Sequence, residues 1–167
     1  MNPLTEKQIR KSFVNATRGE ANRAVLPDLD GVAWDDLDYL GWQDPKSPLS
    51  AYAVLELDGE PTGILLRSGD ARTGRVRREA MCAWCEDVID TSDVVLYVAR
   101  RGGDSGRRGN TVGTLICRQF ACSANVRRIP TAVEASDAAG RELIVRRRIA
   151  GLRERSAKFV REIGSTR

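Results

Sequence analysis

Residues 80–88 read "AMCAWCEDV" and residues 116–128 read "ICRQFACSANVRR". These two stretches hold all four cysteines of the 167-residue chain: Cys82 and Cys85, then Cys117 and Cys122. How those thiols are used decides the fold, and three uses compete. Disulfides suit small secreted chains that cannot bury a core, whereas a chain of this length can bury one. A redox Cys-x-x-Cys needs one thiol whose pKa is lowered by a helix N-terminus or a nearby cation. Here Glu86 and Asp87 follow Cys85 directly, and their charges act the other way. The third use is a metal ion. Two thiolates in a Cys-x-x-Cys turn present both sulfurs to one zinc at about 2.3 Å.

The intervening chain favours the metal. The 31 residues between Cys85 and Cys117 include two strand-like runs, "DVVLYVARR" and "TVGTLIC", joined by the polar, glycine-rich "GGDSGRRGN". A hairpin there returns the chain to its start. Cys117 then ends the second strand, and Cys122 falls at or near the start of a short helix that stops before Pro130. A turn with two ligands, a hairpin, and a helix with the last ligand make a treble-clef zinc finger, over about residues 80–130. Four residues between the second pair is a loose spacing. A helix N-terminus at Cys122 would help hold thiolate charge. A site of four thiolates leaves no coordination position for water, so its metal builds structure and activates no nucleophile. Arg100, Arg118 and Arg127 are candidates either to offset the thiolate charge or to meet a partner.

Working outward, Thr5 and Gln8 form a capping box for a helix over Thr5–Ala16, with Ile9 and Phe13 on one face. Gly19 ends or loosens that helix, and a second short piece covers Glu20–Val25 before Pro27. Residues 27–50 carry Pro27, Pro45 and Pro48, which predicts a packed loop anchored by Trp34, Leu37, Tyr39, Leu40 and Trp42, with one helical turn at Trp34–Leu40. "YAVLELDGEPTGILLRS" predicts strands Tyr52–Leu57 and Gly63–Arg67 around an Asp58-Gly59 turn. "ARTGRVRREA" is a basic connector. From about Asp137 to residue 163, Val145, Ile149, Leu152, Phe159, Val160 and Ile163 keep helical spacing, giving a long amphipathic C-terminal helix. The fold class is therefore α+β: hairpins and a zinc finger, short helices before them, a long helix after, with residues 1–167 as one domain.

Charge is segregated. Residues 1–66 hold 6 Lys/Arg against 11 Asp/Glu, and residues 67–167 hold 21 against 12. The basic half is mostly arginine, which points to RNA or an acidic protein partner. Histidine is absent, which removes Ser-His-Asp and Cys-His catalysis. Neither "GRVRRE" nor "RRGGDSGRRGN" matches a phosphate-binding loop or a dinucleotide fingerprint. Asp35, Asp36 and Asp38 read as a capped helical turn rather than a metal site. No apolar run is long enough to span a bilayer and the N-terminus has no leader pattern, so the expected location is the cytoplasm. No small-molecule substrate is implied.

"SFVNATRGE", "WDDLDYLGWQDPKSP", "MCAWC", "RRGGDSGRRGNTVGTLIC" and "CSANVRR" together resemble the elongation factor G-binding protein (FusB-like, FBP) family, in its zinc-finger domain as found in small actinobacterial proteins. The resemblance runs from about Ile9 to Arg128. It implies that Cys82, Cys85, Cys117 and Cys122 are the ligands of one structural zinc. It implies a non-catalytic protein of the translation apparatus, docking on elongation factor G or the ribosome, with a link to fusidic acid tolerance. Contact residues expected on the hairpin tip and on either side of Cys122 are Arg107, Arg108, Phe120, Arg127 and Arg128. Two features depart from the family: its resistance proteins carry an N-terminal helical bundle for which these residues leave no room, and "RQFA" stands between the last cysteines where an acidic residue is expected. The alternative is a zinc finger that binds RNA, ribosomal RNA included, directly.

Overall fold

In a computed structural model, described for residues 1–68, 80–86 and 94–165, five strands form one antiparallel sheet. They are β1 Leu40–Asp44, β2 Ser47–Leu57, β3 Glu60–Ser68, β4 Val94–Arg100 and β5 Thr111–Cys117, and they lie side by side in chain order. The helices are α1 Glu6–Ser12, α2 Arg18–Arg23, α3 Gly103–Arg107, α4 Cys122–Val126 and α5 Ala138–Gly164, with a 3-10 turn at Trp34–Asp36. This is the α+β architecture that the sequence predicts. The basic connector falls almost wholly in residues 69–79, outside the described residues.

Local chemistry accounts for several boundaries. The Thr5–Gln8 capping box starts α1, and a second box, Thr17 with Glu20, starts α2. Gly19 does not end the first helix, because it lies inside α2. Instead α1 stops at Ser12, where Phe13 leaves the helix to bridge Gly63 of β3. Asp58 and Gly59 both adopt positive φ, 53° and 83°, as a two-residue hairpin turn with the twist of its strands requires. Asp137 accepts from the Gly140 amide at 2.7 Å and starts α5.

The sheet is covered on both faces. On one side Ile9, Ala24, Leu40, Trp42, Tyr52, Val54 and Leu65 form a core under α1 and α2. On the other, Ala51, Ala53, Leu55, Ile64, Leu66, Tyr97 and Ile116 meet Leu152, Phe159, Val160 and Ile163 of α5. Burying each of those α5 side chains is worth about 1.5–3 kcal/mol. Val145 and Ile149 are only half-buried, so the N-terminal half of α5 is the less anchored.

Two expectations fail in instructive ways. The segment over 27–50 is not all loop, since it contains β1 and the start of β2. Pro45 sits in the turn between them, and Pro48 faces solvent near the start of β2, where a missing N–H is tolerated. Asp44 organises that turn by accepting from the Lys46 and Ser47 amides at 2.9 and 3.1 Å. The glycine-rich link between β4 and β5 holds α3, whose turn is so tight that a Cβ on Gly106 would lie 1.7 Å from the Arg101 carbonyl oxygen.

Asn15, inside "SFVNATRGE", performs a task that its sequence does not advertise. Among the described residues β3 and β4 pair at Arg67–Val98 and Ser68–Tyr97. Beyond those pairs the buried Asn15 amide fills the gap. It donates to the carbonyls of Leu65 and Arg100 at 2.9 Å and accepts from the Leu65 amide at 2.8 Å.

Candidate metal centre

The four thiols converge. Cys82 and Cys85 lie on a tight turn, Cys117 is the last residue of β5, and Cys122 is the first of α4. All four are buried, and their sulfurs lie within 4.8 Å of one another. Cys82 Sγ is 3.6 Å from Cys122 Sγ, and Cys85 Sγ is 3.6 Å from Cys117 Sγ. A disulfide would bring two sulfurs to about 2.05 Å. A tetrahedron of sulfurs each about 2.3 Å from a central zinc has edges of about 3.8 Å. The spacing fits the metal and excludes the disulfide. Crowding of the four thiols also makes them share protons unevenly. Hydrogen bonding, first from the Cys117 sulfhydryl and then from Cys122, drives the Cys82 thiol far below its ordinary value. Hydrogen bonding with Cys117, then Cys82, drives Cys122 far above its own. Without a central cation the cluster can hold only part of its thiolate charge; zinc would supply the positive charge that lets all four ionise.

The surroundings hold this geometry. The Ala83 amide donates to the Leu115 carbonyl at 2.7 Å, tying the turn to β5, and the Cys85 amide points at Cys82 Sγ at 3.5 Å. Glu86 closes the turn with φ at 55°, its amide on the Cys82 carbonyl at 2.9 Å. From α5, Arg155 donates to the Trp84 carbonyl at 2.8 Å and pairs with Glu86 at 3.0 Å. Trp84 is buried edge-on against Tyr39 and Phe159. Its indole N–H has no hydrogen-bond partner among the described residues.

The loose second pair has a packing reason. In "CRQFAC" the chain turns so that the Phe120 amide reaches the Cys117 carbonyl at 3.0 Å, and Phe120 takes φ of 58°. Its ring drops between Tyr39 and Tyr97 and over Gly41, where a Cβ would lie 2.5 Å from it. The longer loop is what lets an aromatic side chain reach the core.

Several assignments change accordingly. Phe120 is only 7% exposed, so it is core and not a surface contact. Arg127 donates to the Asp38 carboxylate at 2.5 Å, and Arg100 pairs with Glu20 at 3.1 Å. Neither of those guanidinium groups is committed to the sulfurs. α4 is five residues long, too short for a developed helix dipole. A side chain that does reach sulfur is Asn125, whose amide lies 3.4 Å from Cys117 Sγ and 3.8 Å from Cys85 Sγ. Arg107, paired with Asp104, and Arg108 sit exposed on and beside α3, and Arg128 is exposed beyond α4. These groups occupy opposite ends of β5. Six residue steps at about 3.3 Å separate them by about 20 Å, so they do not make one continuous patch.

Asp38 is the site residue whose role the sequence hides. Its side chain is fully shielded and takes Arg127 and also Arg153 of α5, the latter at 2.7 Å. Its backbone amide donates to the Ser123 hydroxyl at 3.0 Å. With Glu20–Arg100 and Asp58–Arg161, it joins the acidic half of this chain to the basic half. The segregation of charge is thus partly an internal interlock.

A turn bearing two cysteines, a hairpin, and a helix opening on the fourth cysteine define a structural zinc finger of the treble-clef class. The family model described as FBP C-terminal treble-clef zinc-finger matches residues 8–163, and the chain belongs to that family. No curated protein and no solved structure gives a match.

Proposed function

We propose that this chain is a non-catalytic docking protein of the translation apparatus, with elongation factor G or the ribosome as its partner. The observation that carries the reading is membership of the FBP zinc-finger family over residues 8–163. The closed four-thiolate centre supports it, because such a centre shapes a surface and offers no open metal position for chemistry. Among the described residues no helix is long and apolar enough to cross a membrane, which suits a partner met in the cytoplasm. The proposed contacts are Arg107 and Arg108 at one end of β5 and Arg128 at the other. A partner spanning both ends would lie along the β4–β5 hairpin, whose outer face carries the exposed Leu96 and Leu115. Arg127 is proposed to act indirectly, by fixing α4 through Asp38, and Phe120 by supporting the loop that bears Arg118. A role in fusidic acid tolerance would follow from release of elongation factor G.

Affinity capture of the tagged, zinc-loaded protein tests this, followed by binding of purified elongation factor G and of ribosomes. Retention of either, weakened at least about tenfold by Arg107→Ala with Arg108→Ala and Arg128→Ala, is expected. Capture that retains neither a translational GTPase nor a ribosomal component would overturn the proposal.

A further inference from the structure

The N-terminal half is acidic as a whole, but its charge is uneven. Residues 1–26 hold five Lys/Arg against two Asp/Glu, while residues 27–66 hold one against nine. The five cations sit on α1 and α2, which cover the face of the sheet opposite the zinc centre. Both acids there are engaged. Glu6 pairs with Arg10 at 2.7 Å, and Glu20 accepts from the Thr17 amide at 2.8 Å and from Arg100. Arg10 is engaged as well. It donates to the carbonyls of Ala21, Asn22 and Ala24, which ties α1 to the end of α2.

Of the other four cations, Lys7, Lys11 and Arg18 are exposed, with no ion pair among the described residues, and Arg23, also exposed, does not line the cleft the three share. All three line an open cleft of about 810 Å³ between the two helices, with Phe13 and Ala16 adding apolar surface. The cleft is held in shape by the Arg10 bonds. Lys7 and Lys11 stand one helical turn apart, about 5–6 Å between their Cβ atoms, and Arg18 comes from the other helix. That is a row of charges rather than a point. Phe13 is fixed against Tyr52, with ring centroids 5.5 Å apart. A cationic rim beside a fixed aromatic ring is the combination that single-stranded nucleic acid uses, with phosphates on the cations and a base on the ring.

We propose that the α1–α2 cleft binds a single-stranded polynucleotide through its phosphates, with Lys7, Lys11 and Arg18 as the contacts. The site is independent of the docking role above and can stand if that role fails. The probe is a short fluorescein-labelled single-stranded RNA of mixed sequence, followed by anisotropy on the full zinc-loaded chain across a salt series. The cleft variant is Lys7→Gln, Lys11→Gln and Arg18→Gln. The control removes equal charge elsewhere, as Lys46→Gln, Arg147→Gln and Lys158→Gln. All six side chains are exposed, and thermal melts establish that both variants fold. Three phosphate contacts predict a log–log salt slope of about −2 for a single strand. The cleft variant should weaken binding at least about tenfold and flatten that slope, and the control should leave both unchanged. The proposal is overturned if the RNA does not bind, or if both variants weaken it equally. It is also overturned if poly-glutamate or a free nucleoside triphosphate binds as tightly with the same dependence on the cleft.

Discussion

Replacing Asp38 with alanine tests whether charge locks the two halves of the chain together. The Asp38 side chain is 0% exposed, while Arg127 is 26% and Arg153 62% exposed. Removing one partner of a fully buried pair costs about 3–5 kcal/mol, and an exposed pair contributes about 0.2–1 kcal/mol. The Arg127 pair lies between these limits, at about 2 kcal/mol, because the freed guanidinium can turn to water. The Arg153 pair sits at the exposed limit, about 0.5 kcal/mol. Asp38→Ala should therefore lose about 2.5 kcal/mol, lowering Tm by roughly 5–10 °C at about 2–4 °C per kcal/mol. Urea unfolding in zinc-containing buffer gives the total, and double-mutant cycles with Arg127→Ala and Arg153→Ala apportion it. In about 1 M salt, where the Debye length is about 3 Å, the Arg153 coupling should vanish and most of the Arg127 coupling should remain. An Asp38–Arg127 coupling below about 0.3 kcal/mol would refute the interlock, leaving packing alone to join the halves.

Zinc removal should be drastic. A structural zinc supplies on the order of 10 kcal/mol, comparable with the whole stability of a domain, so chelation or Cys117→Ser should abolish the near-ultraviolet circular dichroism of Trp84 and its neighbours; a chelated protein that kept that spectrum would contradict the assignment. Gly41→Ala should cost about 1–3 kcal/mol by overpacking, because its Cβ would meet the Phe120 ring at 2.5 Å; urea unfolding measures the loss, and Phe120→Leu in the same chain should recover part of it. Burial opposes ionisation of Asp44, but the amides of Lys46, Val25 and Ser47 outweigh it and hold the carboxyl below its ordinary 3.8. A lowered folded pKa gives stability that is complete above about 3.8 and drains as pH falls through the folded value. The stability gap between parent and Asp44→Ala, read from urea midpoints, should therefore narrow only below about pH 4, and a gap constant down to pH 3 would contradict this.

What was legible in the sequence was local. Thr5 with Gln8, Asp58-Gly59 and Asp137 act on atoms within a few residues, so their patterns carry the information. The cysteines were legible because one ion must gather all four, which makes their spacing a statement about the intervening chain. What failed was decided at long range. The prolines over 27–50 obscured β1, because proline at a turn or facing solvent near a strand's start reads the same as proline in a loop. Phe120 looked like a surface residue beside two polar neighbours; only the space above Gly41 shows where its ring goes. For Arg100, Arg127 and Asp38 the near sequence carries no sign of their partners, which lie 80 or more residues away.

The bond from the Ala83 amide to the Leu115 carbonyl also has a bearing on how the protein fails. β5 is the last strand of the sheet, and the cysteine turn occupies its outer rim as a bumper. An uncovered strand rim templates the addition of a foreign strand, and here half-bare leucines, Leu96 and Leu115, flank it. Stripped of its ion, the molecule would shed that bumper, and strands that form without it would leave the rim bare. Metal starvation should then yield sticky, strand-sharing clusters instead of a harmless soluble coil, and preparations made in chelating buffers would be enriched in them.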